Sequence, residues 1–341
     1  MAEFPLVSIT IVTFNSSRFI GKCLGSIAGQ SYPNIQVVIV DNASADSTCS
    51  FLGTLDSSYK VIYNSENTGF AFAQNQAIEA SEGRWVLALN PDVLLTSTFV
   101  STLVAAGEAR LEVGTVCGKL LCLAHDLTIP EKPLIDSTGI FLTPELRHLD
   151  RGSRLIDDGS YDKLEYVFGA TGAAALYRRE MIEHISIHGE FFDPDFFSYR
   201  EDADVSWRAQ VLGWKCLYAP AAVAYHVRTV FPGNRRELPP SINMHSVKNR
   251  WLLRIKNMTG DLYRRYWFPI TLRDLIVVAA CLTVEWRSLP AFVLVAKNWR
   301  RTFAKRREIM RLKRADDTYM AQWLSATPKS FPVSLKAQEA D

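Results

Sequence analysis

The first third of the chain alternates short apolar runs with polar stretches whose apolar residues recur at helical spacing. "LVSITIVT" (Leu6–Thr13) is apolar and β-branched, the pattern of a strand covered on both faces. In "FNSSRFIGKCLGSIAGQ", Phe19, Ile20, Cys23, Leu24 and Ile27 fall on one helical face, with Ser16 or Ser17 placed to cap it. "IQVVIVD" (Ile35–Asp41) reads as a second strand, "NASADSTCSFLGTL" as a loop, cap and short helix, and "YKVIY" as a third strand. "NSENTGF" is a turn, "AFAQNQAIEASEG" a helix ended by Gly83, and "WVLAL" a fourth strand. The order β-α-β-α-β-α-β predicts a parallel sheet with right-handed crossovers, a Rossmann-like half.

After about Ala105 the alternation weakens. Residues 115–165 read as strands and loops, with turn chemistry at "DRGSRLIDDGSYD". "EYVFGATGAAALYRREMI" looks like a buried strand running into a helix. "FFDPDFFSYREDADVSWRAQVLGWKCLYAP" predicts a loop, a helix from about Glu201 to Leu212, a stop at Gly213 and a strand.

Parallel sheets bind ligands at the carboxyl ends of their strands. Here those ends are Thr13-Phe14-Asn15, Asp41-Asn42, Asn64 to Asn67, and Asn90-Pro91-Asp92. This position accounts for the carboxylate in "WVLALNPDVLL", which would otherwise be costly between two apolar segments. The turn after the first strand, "TFNSS", lacks the glycines a dinucleotide enzyme needs, and no P-loop is present. A diphosphate would have to be held another way, and a divalent cation on a carboxylate such as Asp92 is the obvious route. The plainer alternative is that Asp92 caps the next turn. Asp41 could accept a hydrogen bond from a nucleobase imide, or simply cap "DNASADS".

A second constellation is Glu201, Asp202 and Asp204 at a helix start, where the dipole favours carboxylates in any case. Asp204 and Arg208 read as a surface i,i+4 pair. The face of Asp202 continues through the small residues Ser206 and Ala209, and "FFDPDFFSY" before it could wall a water-poor pocket. A carboxylate there can act as a general base. His226, after the apolar "AAVAY", is a packed histidine or a metal or phosphate ligand.

Composition narrows the classes. The chain has 341 residues and a formal net charge of +2, without the basic excess of a general nucleic-acid binder. Its six cysteines show no CxxC pair or zinc spacing and read as reduced core thiols, as in a cytosolic protein. "MAEFPLVSIT" lacks the basic region and cleavage site of a signal peptide.

Together, "SITIVTFNS", "VVIVDNASADST", "NTGFAFAQNQAI", "LALNPDVLL", "DRGSRLIDDGSYD", "GATGAAALYRR", "FFSYREDADVSWRAQVLGWK" and "YHV" resemble an inverting family 2 glycosyltransferase. The resemblance runs over about residues 6–257 and is nearest the rhamnosyltransferase-like branch that builds bacterial surface polysaccharides. It implies a GT-A (Rossmann-like) α/β fold with a mixed, mostly parallel central sheet and a helical C-terminal extension. It divides the chain into a nucleotide-sugar-binding half (1–110), an acceptor-binding and catalytic half (111–257) and a basic helical region (258–341). It implies that Asp41 holds the nucleobase, with Thr13, Phe14, Asn15, Asn42, Asn67, Gly69 and Asn75 around the nucleotide. Asp92 would be the last carboxylate of a DxD motif that binds Mg²⁺ or Mn²⁺, beside Asn90 and Pro91. Asn90 stands where that motif has its first Asp and keeps its hydrogen-bonding capacity without the charge, which implies either a lower metal affinity or help from His226. Asp202, with Glu201, matches the general base of the "ED" motif. The implied donor is dTDP-L-rhamnose, with a UDP-hexose as the alternative. The implied acceptor is a saccharide, polyprenyl-diphosphate-linked in one version. A sugar-1-phosphate nucleotidyltransferase would want a glycine-rich, Arg-containing loop after the first strand, which is missing. A non-catalytic carbohydrate-binding relative would have lost Asp92 or Asp202, and both are present.

The C-terminal region adds one expectation. Between Tyr266 and Arg314, Leu275–Val284 is the longest uncharged run, about half the ~20 residues a spanning helix needs, so no transmembrane helix is expected. From Lys297 to Arg314 there are nine basic residues and one acidic one. Phe292, Val295, Ala296, Trp299 and Phe303 fall on one helical face, with Arg300, Arg301, Lys305, Arg306 and Arg307 around it. Such a helix can lie on an anionic membrane surface, which predicts a peripheral enzyme on the inner face of the cell membrane. The alternative is a buried helix followed by a solvated basic one.

Overall fold

A computed structural model describes residues 4–228 and 239–333; the predicted C-terminal region therefore extends, at 334–341, outside the described residues. The N-terminal half forms as its pattern predicts. Strands β1 (Val7–Thr13), β2 (Ile35–Asp41), β3 (Tyr59–Tyr63) and β4 (Trp85–Leu89) pair in parallel, in the order β4-β1-β2-β3. They are joined by helices α1 (Ile20–Ala28), α2 (Thr48–Leu52) and α3 (Phe70–Glu79). β1 and β4 are buried along their whole length, whereas β3, at the sheet edge, is partly exposed. Side chains of β4 divide by the period of two: Trp85, Leu87 and Leu89 join one core with α1, while Val86 and Ala88 join the other.

Beyond β4 come β5 (Val93–Leu95), α4 (Phe99–Glu108), β6 (Val113–Cys122), β7 (Ile135–Ser137), β8 (Ile140–Leu142), β9 (His148–Asp150), β10 (Glu165–Val167) and β11 (Ala174–Arg178). Helices α5 (Arg179–Ile185) and α6 (Glu201–Val211) and the long β12 (Lys215–His226) follow. β11 is inserted antiparallel between β4 and β6, β12 runs parallel to β6, and the full order is β13-β10-β12-β6-β11-β4-β1-β2-β3, with β13 at Phe331–Pro332. The expected mixed, mostly parallel-cored sheet is what forms, and the chain's last described strand closes one edge of it. Helix α7 (Pro240–Asn257) ends the half that runs to residue 257, and α8 (Gly260–Thr283), α9 (Pro290–Leu312) and α10 (Asp317–Gln322) make the C-terminal extension.

Local expectations needed correction in several places. Helix α1 begins at Ile20 with no side-chain cap; the Ser16 carbonyl accepts from the Phe19 and Ile20 N–H instead. Helix α3 ends at Glu79, not at Gly83, because Gly83 lies against β1: a Cβ there would sit 2.5 Å from the Ser8 nitrogen. Asp204 and Arg208 are not a surface pair. Both are buried, 2.9 Å apart, because α7 covers α6 and supplies Lys256 and Asn257 to the same carboxylate. The pocket wall expected of "FFDPDFFSY" forms only at its end: Phe191, Phe192 and Phe196 pack in the core, Ser198 and Tyr199 line a cavity, and Ser206 lies against Gly169.

The basic helix also differs from its expectation. Lys305 is buried and bonds Asp193, Glu190 and Asp195; Arg301 pairs with Glu190 and Asp195; Arg306 donates to the Ile255 and Met258 carbonyls. Three of the five cations assigned to headgroups are thus engaged within the protein, Arg301 and Lys305 on the loop before α6 and Arg306 on the end of α7. The proposed apolar face divides too. Phe292 and Val295 pack inward, while Trp299 and Phe303 remain exposed.

Candidate active site

A cavity of about 1150 Å³ opens at the carboxyl end of β4. Its walls include Asn90 and Asp92, the turn Thr171–Ala173 before β11, Ser198 to Asp202 at the start of α6, and His226 at the end of β12. The two constellations read from sequence, Asp92 and Glu201–Asp202, are therefore brought to one space together with His226.

Asp92 lies on the turn between β4 and β5. Its Oδ1 is buried and makes no hydrogen bond, and it sits 3.5 Å from His226 Nε2. The other imidazole nitrogen, Nδ1, is 2.8 Å from Asp136 Oδ2. Asp136 is buried on β7 and also binds Arg228 Nε at 2.6 Å, and Arg228 continues to Asp150 at 2.6 Å. Burial opposes the imidazolium, but the carboxylates of Asp136 and Asp92 outweigh it and raise His226 to about 10. Burial likewise works against the Asp136 carboxylate, yet His226 and Arg228 hold it below its ordinary value. Asp136 thus fixes which nitrogen of His226 faces Asp92, the usual task of a residue behind a metal ligand. Among the described residues no group of three or more His, Cys, Asp or Glu side chains converges to hold an ion. Asp92 offers an orphaned oxygen suited to a hard cation, and His226, held as an imidazolium by Asp136 and Asp92, would join it only by releasing its Nε2 proton as the ion binds.

Asp202 is held by backbone. Its Oδ2 accepts from Gly172 N–H at 3.1 Å and its Oδ1 from Ala203 N–H at 2.7 Å. Burial raises it to about 6, against these two bonds. Glu201, beside it, is pushed well above the ordinary carboxylate value by burial and by the Asp202 charge, and its Oε2 makes no hydrogen bond. Burial thus pushes both carboxylates of the pair upward and by different amounts, a separation of the kind acid–base machinery uses.

The segment entering α6 is strained. Phe197, Tyr199 and Arg200 all have left-handed φ values, at 64°, 69° and 71°. The buried Asn249 of α7 holds this turn, donating to the carbonyls of Phe196, Ser198 and Tyr199 at 2.9, 2.8 and 2.7 Å. Gly69 touches it from the other side: its φ is 87°, and a Cβ would lie 2.6 Å from the Phe197 ring. Gly169 has a similar reason, since a Cβ would meet Ser206 Oγ at 1.9 Å. Gly169 thus lets the β10–β11 connection lie directly on α6.

The remaining residues expected at the site, Thr13, Phe14, Asn15, Asp41, Asn42, Asn67, Gly69, Asn75 and Pro91, do not line this cavity. Most of them form a polar shelf at the ends of β1 and β2. Asp41 accepts from Thr13 Oγ1, Ser44 Oγ, Ser44 N–H and Cys49 Sγ, and these donors outweigh burial to keep it low. Its turn-capping role is thus realised. Asn42 bonds Asn67 and the Gly69 carbonyl and receives the Thr68 N–H, and Asn15 Oδ1 accepts from Ala45. Phe14 is left exposed at the rim. Asn75 uses both ends of its amide on the Phe192 backbone and braces the loop before α6. Sequence reasoning missed Asp136, Arg228, Gly172 and Asn249. Each is distant in sequence from the group it serves, so no local spacing could have found it.

Comparisons with known proteins agree on the family. The model for glycosyl transferase family 2 matches residues 8–186. The succinoglycan biosynthesis protein ExoO of Rhizobium meliloti is 32% identical over 236 residues, covering 66% of this chain and 62% of that protein. The Escherichia coli enzyme WfaP, a UDP-Glc:alpha-D-GlcNAc-diphosphoundecaprenol beta-1,3-glucosyltransferase, is 33% identical over 97 residues, 28% of this chain and 39% of its own. The chain therefore covers less than two thirds of either relative. Among solved structures, TarS 1–349 of S. aureus in complex with UDP-GlcNAc superposes with a TM-score of 0.53 at 16% identity, covering 90% of this chain and 87% of that one. GalNAc-T7 with UDP, GalNAc and Mn²⁺ gives a TM-score of 0.59 at 14% identity, over 75% and 48%. At these identities the structural likeness speaks for the shared fold, and the family match covers half of the sequence with the cavity's Asp92, Asn90 and Gly172 inside it. The chain belongs to glycosyltransferase family 2.

Proposed function

We propose that the protein is an inverting hexosyltransferase that moves a sugar from a nucleoside diphosphate donor to a saccharide acceptor in cell-surface polysaccharide synthesis. The observation that carries this reading is Asp202, raised to about 6 at the wall of the cavity that also contains Asp92 and His226. The acceptor hydroxyl gives its proton to Asp202 as its oxygen attacks the anomeric carbon. The bond from that carbon to the diphosphate oxygen breaks, the diphosphate leaves with the electron pair, and one in-line displacement inverts the centre. Asp92 and His226 would hold Mg²⁺ or Mn²⁺, which neutralises charge on the leaving diphosphate when bound. The nucleoside would lie on the shelf of Thr13, Asn15, Asp41 and Asn42, with Phe14 at its rim. A base imide reaching Asp41 would replace the Cys49 thiol, the weakest of its four donors.

For the donor we infer dTDP-L-rhamnose from the motif set, with a UDP-hexose as the second reading. The second is favoured by WfaP, whose name specifies UDP-Glc. A thermal-shift panel of nucleotide-sugars separates them. A shift with UDP-hexoses and none with dTDP-rhamnose refutes the rhamnosyl reading and leaves the family reaction intact. The reaction itself is tested by Asp202→Asn, which should bind donor normally and transfer no sugar; wild-type turnover in that variant would overturn the assignment.

A further inference from the structure

The cavity has one wall that the reaction at Asp202 does not use. Helix α8 contributes Arg273, Ile276, Val277 and Ala280 to it, spaced i, i+3, i+4, i+7 and hence on one helical face. The neighbouring face of α8 is a second apolar row, Phe268, Leu272, Leu275, Ala279 and Leu282, all exposed to solvent. Phe268, Leu275 and Leu282 are 61%, 62% and 65% exposed. Ile276 belongs to both, lining the cavity while half exposed, so the cavity mouth runs into the apolar row. A row of this size left in water is the mark of a surface that something covers.

The flanks indicate what covers it. Trp267 and Trp286 are exposed at the two ends of the row, and Arg264, Arg265 and Arg287 are exposed beside them. Indoles and arginines around an apolar stripe match the headgroup region of an anionic bilayer. The helix is long and apolar enough to cross a membrane by length and composition. Its other face, however, is fixed to α7 and α10. Asp274 pairs with Arg250 and Arg254 of α7, Tyr266 donates to the Ala321 carbonyl, and Ile270 and Cys281 are buried. A helix held along its length in this way fits an in-plane position.

We propose that α8 lies in the interface of an anionic membrane and turns the cavity mouth toward it, so that an acceptor bearing a diphosphate on a long apolar chain enters along Arg273, Ile276 and Ala280. This deepens the transferase reading and rests on it. It also relocates the membrane contact from α9, where three of the five cations assigned to headgroups are engaged with the protein, to α8.

The test uses the full chain. Flotation should recover the protein with phosphatidylcholine–phosphatidylglycerol vesicles and recover less with phosphatidylcholine alone. The triple variant L272S/L275S/L282S should lose recovery at least about tenfold while keeping donor turnover with a water-soluble acceptor, since none of the three lines the cavity. Equal flotation of variant and wild type, or no flotation of wild type, overturns the proposal. So does a wild-type dimer that the triple variant makes monomeric, which would assign the row to a second copy. For acceptor entry, calorimetry should find farnesyl diphosphate bound at least about tenfold more tightly than inorganic diphosphate, an advantage that Ile276→Ser removes. Equal affinities overturn that part. A protein that floats but turns over no nucleotide-sugar retains the surface and refutes the reaction.

Discussion

Asp202 and Asp136 show how much single residues owe to their surroundings. Asp202 is a general base only when ionised, and burial raises it to about 6. Its rate contribution should therefore fall as the pH drops through about 6, and a pH–rate profile of kcat/KM should show that acidic limb. Asp136 touches no substrate in this account; it positions His226 through a 2.8 Å bond. Asp136→Asn should weaken Mn²⁺ binding in the presence of nucleoside diphosphate about 10–100-fold, measured by calorimetry, with little loss of metal-free nucleotide binding. Unchanged Mn²⁺ affinity would remove the metal-orienting role from Asp136.

Among the elements, α6 is the one on which chemistry and stability meet. Its first turn carries Glu201 and Asp202 toward the cavity, and the opposite face carries Asp204 into a buried set of charges. Lys256 bridges Asp204 at 2.7 Å and Asp193 at 2.6 Å, and Lys305 reaches Asp193 at 2.5 Å. Lys256→Ala would leave two carboxylates short of a partner, with an expected loss of about 3–5 kcal/mol in denaturant unfolding. Asp193 responds to pH in a defined sense. Burial alone would raise it, but Lys256 and Lys305 hold it well below the usual carboxylate range. Its stabilisation is therefore present above the unfolded value, about 4, and is lost as pH falls toward the folded one. The Tm gap between wild type and Asp193→Asn should narrow as the pH is lowered below about 4. Asn249→Ala tests the turn that leads into α6. Freed from its three carbonyl bonds, the strained Phe197–Arg200 segment should relax, lowering kcat more than it raises KM; a variant with lower Tm and unchanged kcat would give Asn249 a purely structural role.

For the whole molecule, the C-terminal extension cannot be treated as an appendage. Lys305 and Ile309 of α9 are buried, Trp323 packs against Phe168 and Phe331, and β13 adds to the sheet through β10. Truncation near Tyr263 should therefore give an unstable protein by thermal unfolding and not a soluble catalytic domain. For this reason the membrane test uses substitutions on α8 in the full chain.

The division between what was legible and what was not follows from the range of the forces involved. Periodicity is local, and it determined the parallel half: β1 to β4, their crossover helices and the rim that holds Asp92 follow from residues within a few positions of one another. The start of α6 at Glu201 was legible for the same reason, through its acidic first turn. The antiparallel insertion of β11 between β4 and β6 was not, because strand order is set by which faces bury each other across more than eighty positions of sequence. Neither was the fate of the charges. A run such as "KRR" in α9 reads the same whether it faces headgroups or carboxylates, and only docking against Asp193, Glu190 and Asp195 decided that Lys305 points inward. By the same logic Asp204 and Arg208 showed a helical pair in sequence, and α7 alone made them buried. Sequence determined which residues could do chemistry; tertiary packing decided which carboxylate is raised, which imidazole nitrogen faces Asp92, and which apolar row of α8 was left facing out, because burial and charge pairing depend on neighbours the chain supplies only once folded.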